Sequence, residues 1–313
     1  MKHDDIMLRM KHNYESRNKT YLTRRTPVII RLDGKAFHTY TKGLNKPFDE
    51  GLIEDMQSTA IYLCQHIQGA KCAYTQSDEI SILVTDFDTL TTDAWFDYNV
   101  QKMTSVSASL ATGVFNQIRT ERYINDNYEH GPTNLLEELV RISIANFDSR
   151  VFNIPPDEVG NYFYARQRDA VKNSISMLAQ SLYSHGTPNS ELHGKNGNEM
   201  QEMCFQKGHN WNDLHFSKKR GSFIVKNTYV NDKLVYQKKS TCEVGDIWYQ
   251  PANMPIFETN KSEHQGRLLE WGISKDEELD WCEVKIEKIR TKWEVVETPE
   301  RFTLSNFVQH LKI

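Results

Sequence analysis

Two short segments of this 313-residue chain carry side chains that could act together in chemistry. Val28-Ile29-Ile30-Arg31-Leu32-Asp33-Gly34 is an apolar run that ends in a carboxylate and a glycine. Gln76-Ser77-Asp78-Glu79-Ile80 sets two carboxylates just ahead of a second apolar run. Each reads as a strand that delivers a carboxylate to a tight turn. Mg²⁺ takes one or two protein carboxylates and completes its octahedron with phosphate oxygens and water. Two such ions can activate a hydroxyl and stabilise a leaving phosphate. Asp33 and Asp78 are therefore candidate ligands for the ions of phosphoryl transfer, with Glu79 beside them. The bland alternative stays open: Asp33-Gly34 alone is a common turn dipeptide, and Asp78-Glu79 a polar hairpin tip.

Phosphate chemistry also needs positive groups. Arg31, two residues before Asp33, lies on the same face of its strand. Gly34 lets the backbone come close to a phosphate or present its carbonyl to a metal. Lys46 falls in the loop before the next helix. Further on, Lys102, Ser105 and Ser109 share one helical face, opposite much of the apolar stripe Met103, Val106, Leu110 and Val114. That face reads either as a phosphate-lining surface or as an ordinary solvated one.

The elements that must position these groups follow from periodicity and punctuation. A charged, helix-prone stretch leads to Arg24-Arg25, and Pro27 opens the first strand. Ile53, Met56, Ala60, Leu63 and Ile67 fall at helical spacing, and Gly69 ends that helix. Cys72-Ala73-Tyr74 and Ile80-Ser81-Ile82-Leu83-Val84 read as a hairpin. Thr91-Thr92-Asp93 reads as the cap of a long helix over 95–118, and a strand is expected near 142–147. The order β-α-β-β-α-β predicts an α+β fold, a polymerase-like palm with a ferredoxin-like core and an antiparallel sheet. After Pro155-Pro156 the pattern turns mostly helical to about Phe205. The basic cluster Lys218-Lys219-Arg220 precedes a hairpin over 222–236 with its turn at Asn231-Asp232. The stretch 284–296 fits strands or a helix. This divides the chain into a catalytic palm over 1–140, a second region over 141–260 and an extension over 261–313. In that extension Trp271, Trp281 and Trp293 are expected to pack a small core.

Bulk properties set limits. Lys and Arg number 38 against 42 Asp and Glu, a net charge of −4 that gives no support to nucleic-acid binding except through a local basic groove. The five cysteines, Cys64, Cys72, Cys204, Cys242 and Cys282, are odd in number with no CxxC pair. A disulfide framework is not expected, and a reducing cytoplasm fits. The polar N-terminus has no apolar h-region, and no apolar run approaches the roughly 20 residues of a membrane span.

Taken together, the motifs resemble those of the tRNA(His) guanylyltransferase superfamily, the reverse-direction (3′–5′) polymerases. Arg31-Leu32-Asp33-Gly34-Lys35-Ala36-Phe37-His38 resembles the family's first metal motif, Lys46-Pro47 its triphosphate-contacting loop, and Gln76-Ser77-Asp78-Glu79 its second metal motif. Phe147-Asp148-Ser149-Arg150-Val151 and Tyr164-Ala165-Arg166-Gln167-Arg168-Asp169 resemble segments that open its C-terminal half. Trp248 and Pro255-Ile256-Phe257 resemble its closing segment. The resemblance implies Asp33, Asp78 and the Gly34 carbonyl as metal ligands, with Glu79 supporting catalysis. It implies nucleotide binding by Arg31, Gly34, Lys35, Ala36, Phe37, His38, Lys46, Ser77 and Lys102. It implies Mg²⁺, ATP and GTP or another nucleoside triphosphate, a tRNA substrate, and a homotetramer. One departure stands out. Where the eukaryotic enzymes carry a histidine- and asparagine-rich motif, this chain has Val171 and retains Asn173. The chain thus resembles the bacterial, archaeal and viral Thg1-like proteins, which repair truncated tRNA 5′ ends. Arg166, Arg168, Lys172 and Lys195 read as RNA-backbone contacts or as ordinary surface charges. Two rival readings share the palm: a nucleotide cyclase and a non-catalytic tRNA-binding protein.

Overall fold

The computed structural model describes residues 5–126, 144–186, 190–230, 233–237, 247–248 and 289–296. A short helix, α1 (Ile6–Met10), runs into a wider turn over Lys11–Glu15 and leads to β1 (Val28–Gly34). There follow α2 (Phe37–Tyr40), α3 (Glu50–His66), β2 (Ala70–Gln76), β3 (Glu79–Val84), α4 (Val100–Asp126) and β4 (Phe147–Asn153). These strands pair antiparallel in the order β4-β1-β3-β2, so the β-α-β-β-α-β order folds as the ferredoxin-like sheet it predicts.

Alternation along β1 explains why one strand serves two layers. Val28, Ile30 and Leu32 face α3 and α4 and are fully buried with Met56, Leu63, Ile80, Ile82 and Phe115. Ile29 faces the other side, where α5 (Val159–Leu182) packs Val159 and Phe163 over Cys72, Tyr74 and Leu83. Arg31 and Asp33 share that second face. Each buried aliphatic side chain contributes about 1.5–3 kcal/mol, so the register of β1 is held firmly from both sides.

The second half adds α6 (Gly197–Gln206) and α7 (Phe216–Arg220), then returns to the sheet. β5 (Ser222–Val230) joins the free edge of β2, and pairs in turn with β6 (Lys233–Gln237) and β8 (Ile289–Val296), while β7 (Ile247–Trp248) pairs β6. The β5–β6 hairpin has the register Val230↔Lys233. Its expected turn, Asn231-Asp232, lies outside the described residues, as do Pro255-Ile256-Phe257, Trp271, Trp281, Cys242 and Cys282.

Three boundaries differ from those read in the sequence. The long helix begins at Val100, not near 95, because Phe96, Asp97 and Tyr98 take left-handed backbone angles (φ 52°, 53° and 56°) that no helix can continue. Asn99 is the cap, its Oδ1 accepting the Lys102 N–H at 3.0 Å, and the helix then runs on to Asp126. The fourth strand starts at Phe147 where the reading ended it. Phe147 and Val151 pack toward α3 and α4 while Phe152 packs under α5, the two-sided alternation of a strand. Trp293 is buried in the main core, not in a separate small one. Cys64, Cys72 and Cys204 are buried free thiols. Among the described residues no helix is long and apolar enough to cross a membrane.

Candidate active site

The ends of β1 and the β2–β3 hairpin meet through the backbone. The Gly34 N–H donates to the Asp78 carbonyl at 3.0 Å, which locks the two acidic turns side by side. Ser77 makes the hairpin turn with a left-handed φ of 50°, and its hydroxyl donates to Asp78 Oδ1 at 3.0 Å. Gly34 is needed for a steric reason: a Cβ there would lie 2.3 Å from the ring of Phe37. That ring is buried with Tyr40, Phe115 and Phe147, at centroid distances of 4.9, 5.8 and 5.3 Å. Phe37 is therefore a core residue, with only its backbone on the loop surface. Lys35 is exposed on the turn, Ala36 beside it takes a left-handed φ of 55°, and His38 is exposed on α2 just beyond. Lys46 is exposed in the loop ahead of Asp49, whose side chain caps α3.

Register across the sheet builds the rest. Asp33 is paired with Glu79 on β3 and with Asp148 on β4, so three carboxylates form one row on the α5 face. One step along, Arg31 is paired with Arg150 and with Ser81. Arg31 makes a hydrogen-bonded ion pair with Glu79. From α5, Arg166 reaches Glu79 at 3.4 Å and Asp169 at 2.6 Å, while Tyr162 shares a 3.0 Å hydrogen bond with Ser81. Arg150 lies 3.6 Å from Asp33 and 3.6 Å from Asp148. Among the described residues five carboxylates thus face three guanidinium groups, and the balance is negative. Burial pushes the Asp33 carboxyl above the usual range; the charges of Glu79 and Asp148 add to this, and Arg31 and Arg150 oppose it. Burial likewise raises Asp78, opposed by the Ser77 hydroxyl and reinforced by Asp33 and Glu79.

This donor set fits a magnesium ion. Among the described residues no three His, Cys, Asp or Glu side chains converge to enclose an ion by themselves. Mg²⁺ does not require that: it takes one or two hard carboxylates and leaves the remaining positions to phosphate and water. Asp33 and Asp78 are such a pair, with excess negative charge at a partly covered site for a cation to relieve.

The remaining sequence-derived candidates are spread over α4, α5 and the approach to α6. Lys102 is exposed near the start of α4, its Nζ 5.8 Å from the Phe96 ring centroid. Ser107, more than a turn further along α4, meets the Ser149 hydroxyl on the sheet face away from Asp33. Ser105 spends its hydroxyl on the Gln101 carbonyl at 2.7 Å, as a helix-surface serine does. Of the four proposed RNA contacts, Arg166 is instead tied into the acidic cluster. Arg168 and Lys172 are exposed on α5, and exposed Lys195 pairs with Glu199 at 3.4 Å. Val171, on α5, is partly buried against the small core that α5 and α6 share with Trp211.

Sequence reasoning missed Asp148, Arg150, Tyr162 and Asp169 as members of the site. A signal existed for the first two. Arg31-x-Asp33 and Asp148-x-Arg150 are the same pair in reverse order, which antiparallel pairing superimposes acid on acid and base on base.

Comparison with known proteins gives a consistent result. A family model described as tRNAHis guanylyltransferase matches residues 8–155. The probable tRNA(His) guanylyltransferase of Dictyostelium discoideum is 27% identical over 209 residues, covering 64% of this chain and 75% of that protein. A bacterial tRNA(His) guanylyltransferase (Thg1)-like protein solved in complex with ATP is 47% identical with a TM-score of 0.61, over 71% of this chain and 86% of that one. A bacterial structure of the same description in complex with GTP is 45% identical with a TM-score of 0.59, over 74% of this chain and 88% of that one.

Proposed function

The chain belongs to the tRNA(His) guanylyltransferase (Thg1-like) family of 3′–5′ nucleotidyltransferases, and on that premise we propose that it adds nucleotides to the 5′ end of tRNA in a magnesium-dependent reaction. The 3′-hydroxyl of an incoming nucleoside triphosphate attacks the activated 5′-phosphate of the RNA. The bond to the leaving group breaks, releasing AMP from an adenylylated end or pyrophosphate from a 5′-triphosphate. The observation that carries this reading is the join of the two acidic turns, with Asp33 and Asp78 locked side by side by the Gly34–Asp78 backbone hydrogen bond. The ATP and GTP complexes of the bacterial relatives support nucleoside triphosphates as substrates.

In this reading Asp33, Asp78 and the Gly34 carbonyl hold Mg²⁺, which when bound neutralises phosphate charge and lowers the pKa of the attacking hydroxyl. Glu79 is ion-paired to Arg31 and Arg166, which holds it in place beside Asp33. Lys35, His38 at α2 and Lys46 are exposed along the segment leading from the Asp33 turn and can turn toward a triphosphate. Transfer of this kind depends mainly on alignment and charge neutralisation, which a rigid strand end supplies. Val171 favours repair of 5′-truncated tRNAs over addition confined to tRNA(His), because its side chain is partly buried against the small core that α5 and α6 share with Trp211 and offers no polar group to an anticodon. The same reading has the protein act in the cytoplasm as a homotetramer.

The test is incorporation of labelled nucleotide at the 5′ end of full-length and 5′-truncated tRNAs carrying 5′-mono- or triphosphates. We expect truncated tRNAs of several identities to be extended, and Asp33→Ala and Asp78→Ala each to lower the rate on the order of 1,000-fold. Retention of full activity by both variants would refute the metal assignment. A cyclic product from nucleoside triphosphate without RNA would support a cyclase instead.

A further inference from the structure

Three arginines lie on the acidic face, and they are not held alike. Arg31 is hydrogen-bonded to Glu79, and Arg166 to both Asp169 and Glu79; their side chains are only 21% and 20% exposed. Arg150 is 56% exposed, and its ionic contacts among the described residues, to Asp33 and Asp148, are both 3.6 Å, beyond hydrogen-bond length. An exposed contact of that length contributes little to stability, so a better acceptor displaces it at little cost. A phosphate is such an acceptor, because it matches the guanidinium fork with two parallel charge-assisted bonds. Arg150 also stands where a substrate phosphate must come. It is in register with Arg31 on the outermost strand of the palm, on the face that carries Asp33.

We infer that Arg150 is a catalytic residue that binds phosphoryl oxygens of the substrate beside Asp33. The inference rests on the acidic row being the nucleotidyl-transfer site. Two sources present this chemistry: the triphosphate of the incoming nucleotide and the 5′-terminal phosphate of the RNA. Arg150 exchanges its long contacts to Asp33 and Asp148 for two short ones to phosphate, and no covalent step passes through it.

The experiment uses the full chain and compares Arg150→Ala, Arg150→Lys and Asp33→Asn. It measures equilibrium binding of GTP, ATP and truncated tRNA with a 5′-triphosphate or 5′-hydroxyl end, together with 5′-addition kinetics and melting temperature. Arg150→Ala is expected to lower kcat/KM on the order of 100-fold, with the melting temperature within about 2 °C of the parent. Arg150→Lys recovers only part of this, since lysine cannot make the two-pronged contact. Weakened GTP or ATP binding assigns the contact to the nucleotide; a lost preference for the 5′-triphosphate over the 5′-hydroxyl end assigns it to the RNA. The inference is overturned if Arg150→Ala keeps kinetics and affinities within twofold of the parent. It is equally overturned if activity falls only in step with melting temperature. Asp33→Asn separates the two levels. If that variant is inactive while Arg150→Ala is unchanged, this inference alone falls; if it stays active, the site reading beneath it falls as well.

Discussion

Asp78 is the residue at which site chemistry and stability conflict most directly. Burial raises its carboxyl pKa, and the nearby charges of Asp33 and Glu79 raise it further. The folded chain therefore holds a proton there at a pH where the unfolded chain has lost it. A raised pKa contributes stability that is complete below the unfolded value and is lost as pH rises through the folded one. At neutral pH without divalent ions, ionised Asp78 is thus a net cost. Asp78→Asn is expected to raise the melting temperature of the ion-free protein by about 1–3 °C at pH 7. That gain shrinks toward pH 4, while nucleotide incorporation is lost. Thermal melts across this pH range check it; a variant less stable than the parent at pH 7 contradicts the electrostatic account. Gly34 is the steric counterpart. Gly34→Ala drives a methyl group into the Phe37 ring, at an expected cost of about 1–3 kcal/mol in urea denaturation. Adding Phe37→Leu should recover part of that loss.

At the scale of elements, α3 and α4 are tied together by a fully buried carboxylate. Asp55 accepts from Arg119 at 2.9 Å and from Arg122 at 2.7 Å. The pairing brings the two helices close at Gly51, where a Cβ would lie 3.3 Å from the Arg122 side chain. Deleting one side of a buried pair leaves its partners charged and desolvated. Asp55→Ala should therefore cost about 3–5 kcal/mol, measured by chemical denaturation. The effect on catalysis is expected to be indirect, through α2 and its Phe37–Tyr40 packing against α4. Arg166 plays the matching part on the opposite face, holding α5 to the end of β3 through Glu79. These two ionic ties clamp the palm sheet between its helices near the strand ends where Asp33 lies.

For the whole molecule, the C-terminal segment is part of the palm architecture. β8 pairs with β5 from Phe223↔Val296 to Val230↔Ile289, and Trp293 reaches the core shared with Ile82 and Ile224. Trp293→Ala should cost about 3–5 kcal/mol, a large fraction of a typical domain's stability. A chain ending before Ile289 is expected to lose cooperative unfolding, as read by circular dichroism and thermal melts. A fully stable truncated chain would show that β8 is dispensable. The sheet order β4-β1-β3-β2-β5 also explains how a mostly helical second half can support a site on the first. Its helix α5 roofs the acidic row, and its strands extend the sheet beneath.

Much of this was legible in the residues alone. The apolar run closing on Asp33-Gly34, the helix ending at Gly69 and the hairpin around Asp78 are local events. Side-chain period and turn chemistry are enough to read them, and with them the palm order and the acid pair. Placing Asp148 and Arg150 beside Asp33 required the register between β1 and β4, strands far apart in sequence. Alternation tells which face a side chain takes but not which neighbour it meets. Docking of α5 drew Arg166 from the surface into the acidic cluster, and the left-handed turn at Phe96-Asp97-Tyr98 displaced the start of α4. Local chemistry is written in the order of residues, whereas the meeting of distant carboxylates and guanidiniums depends on pairing and packing that only the folded chain decides.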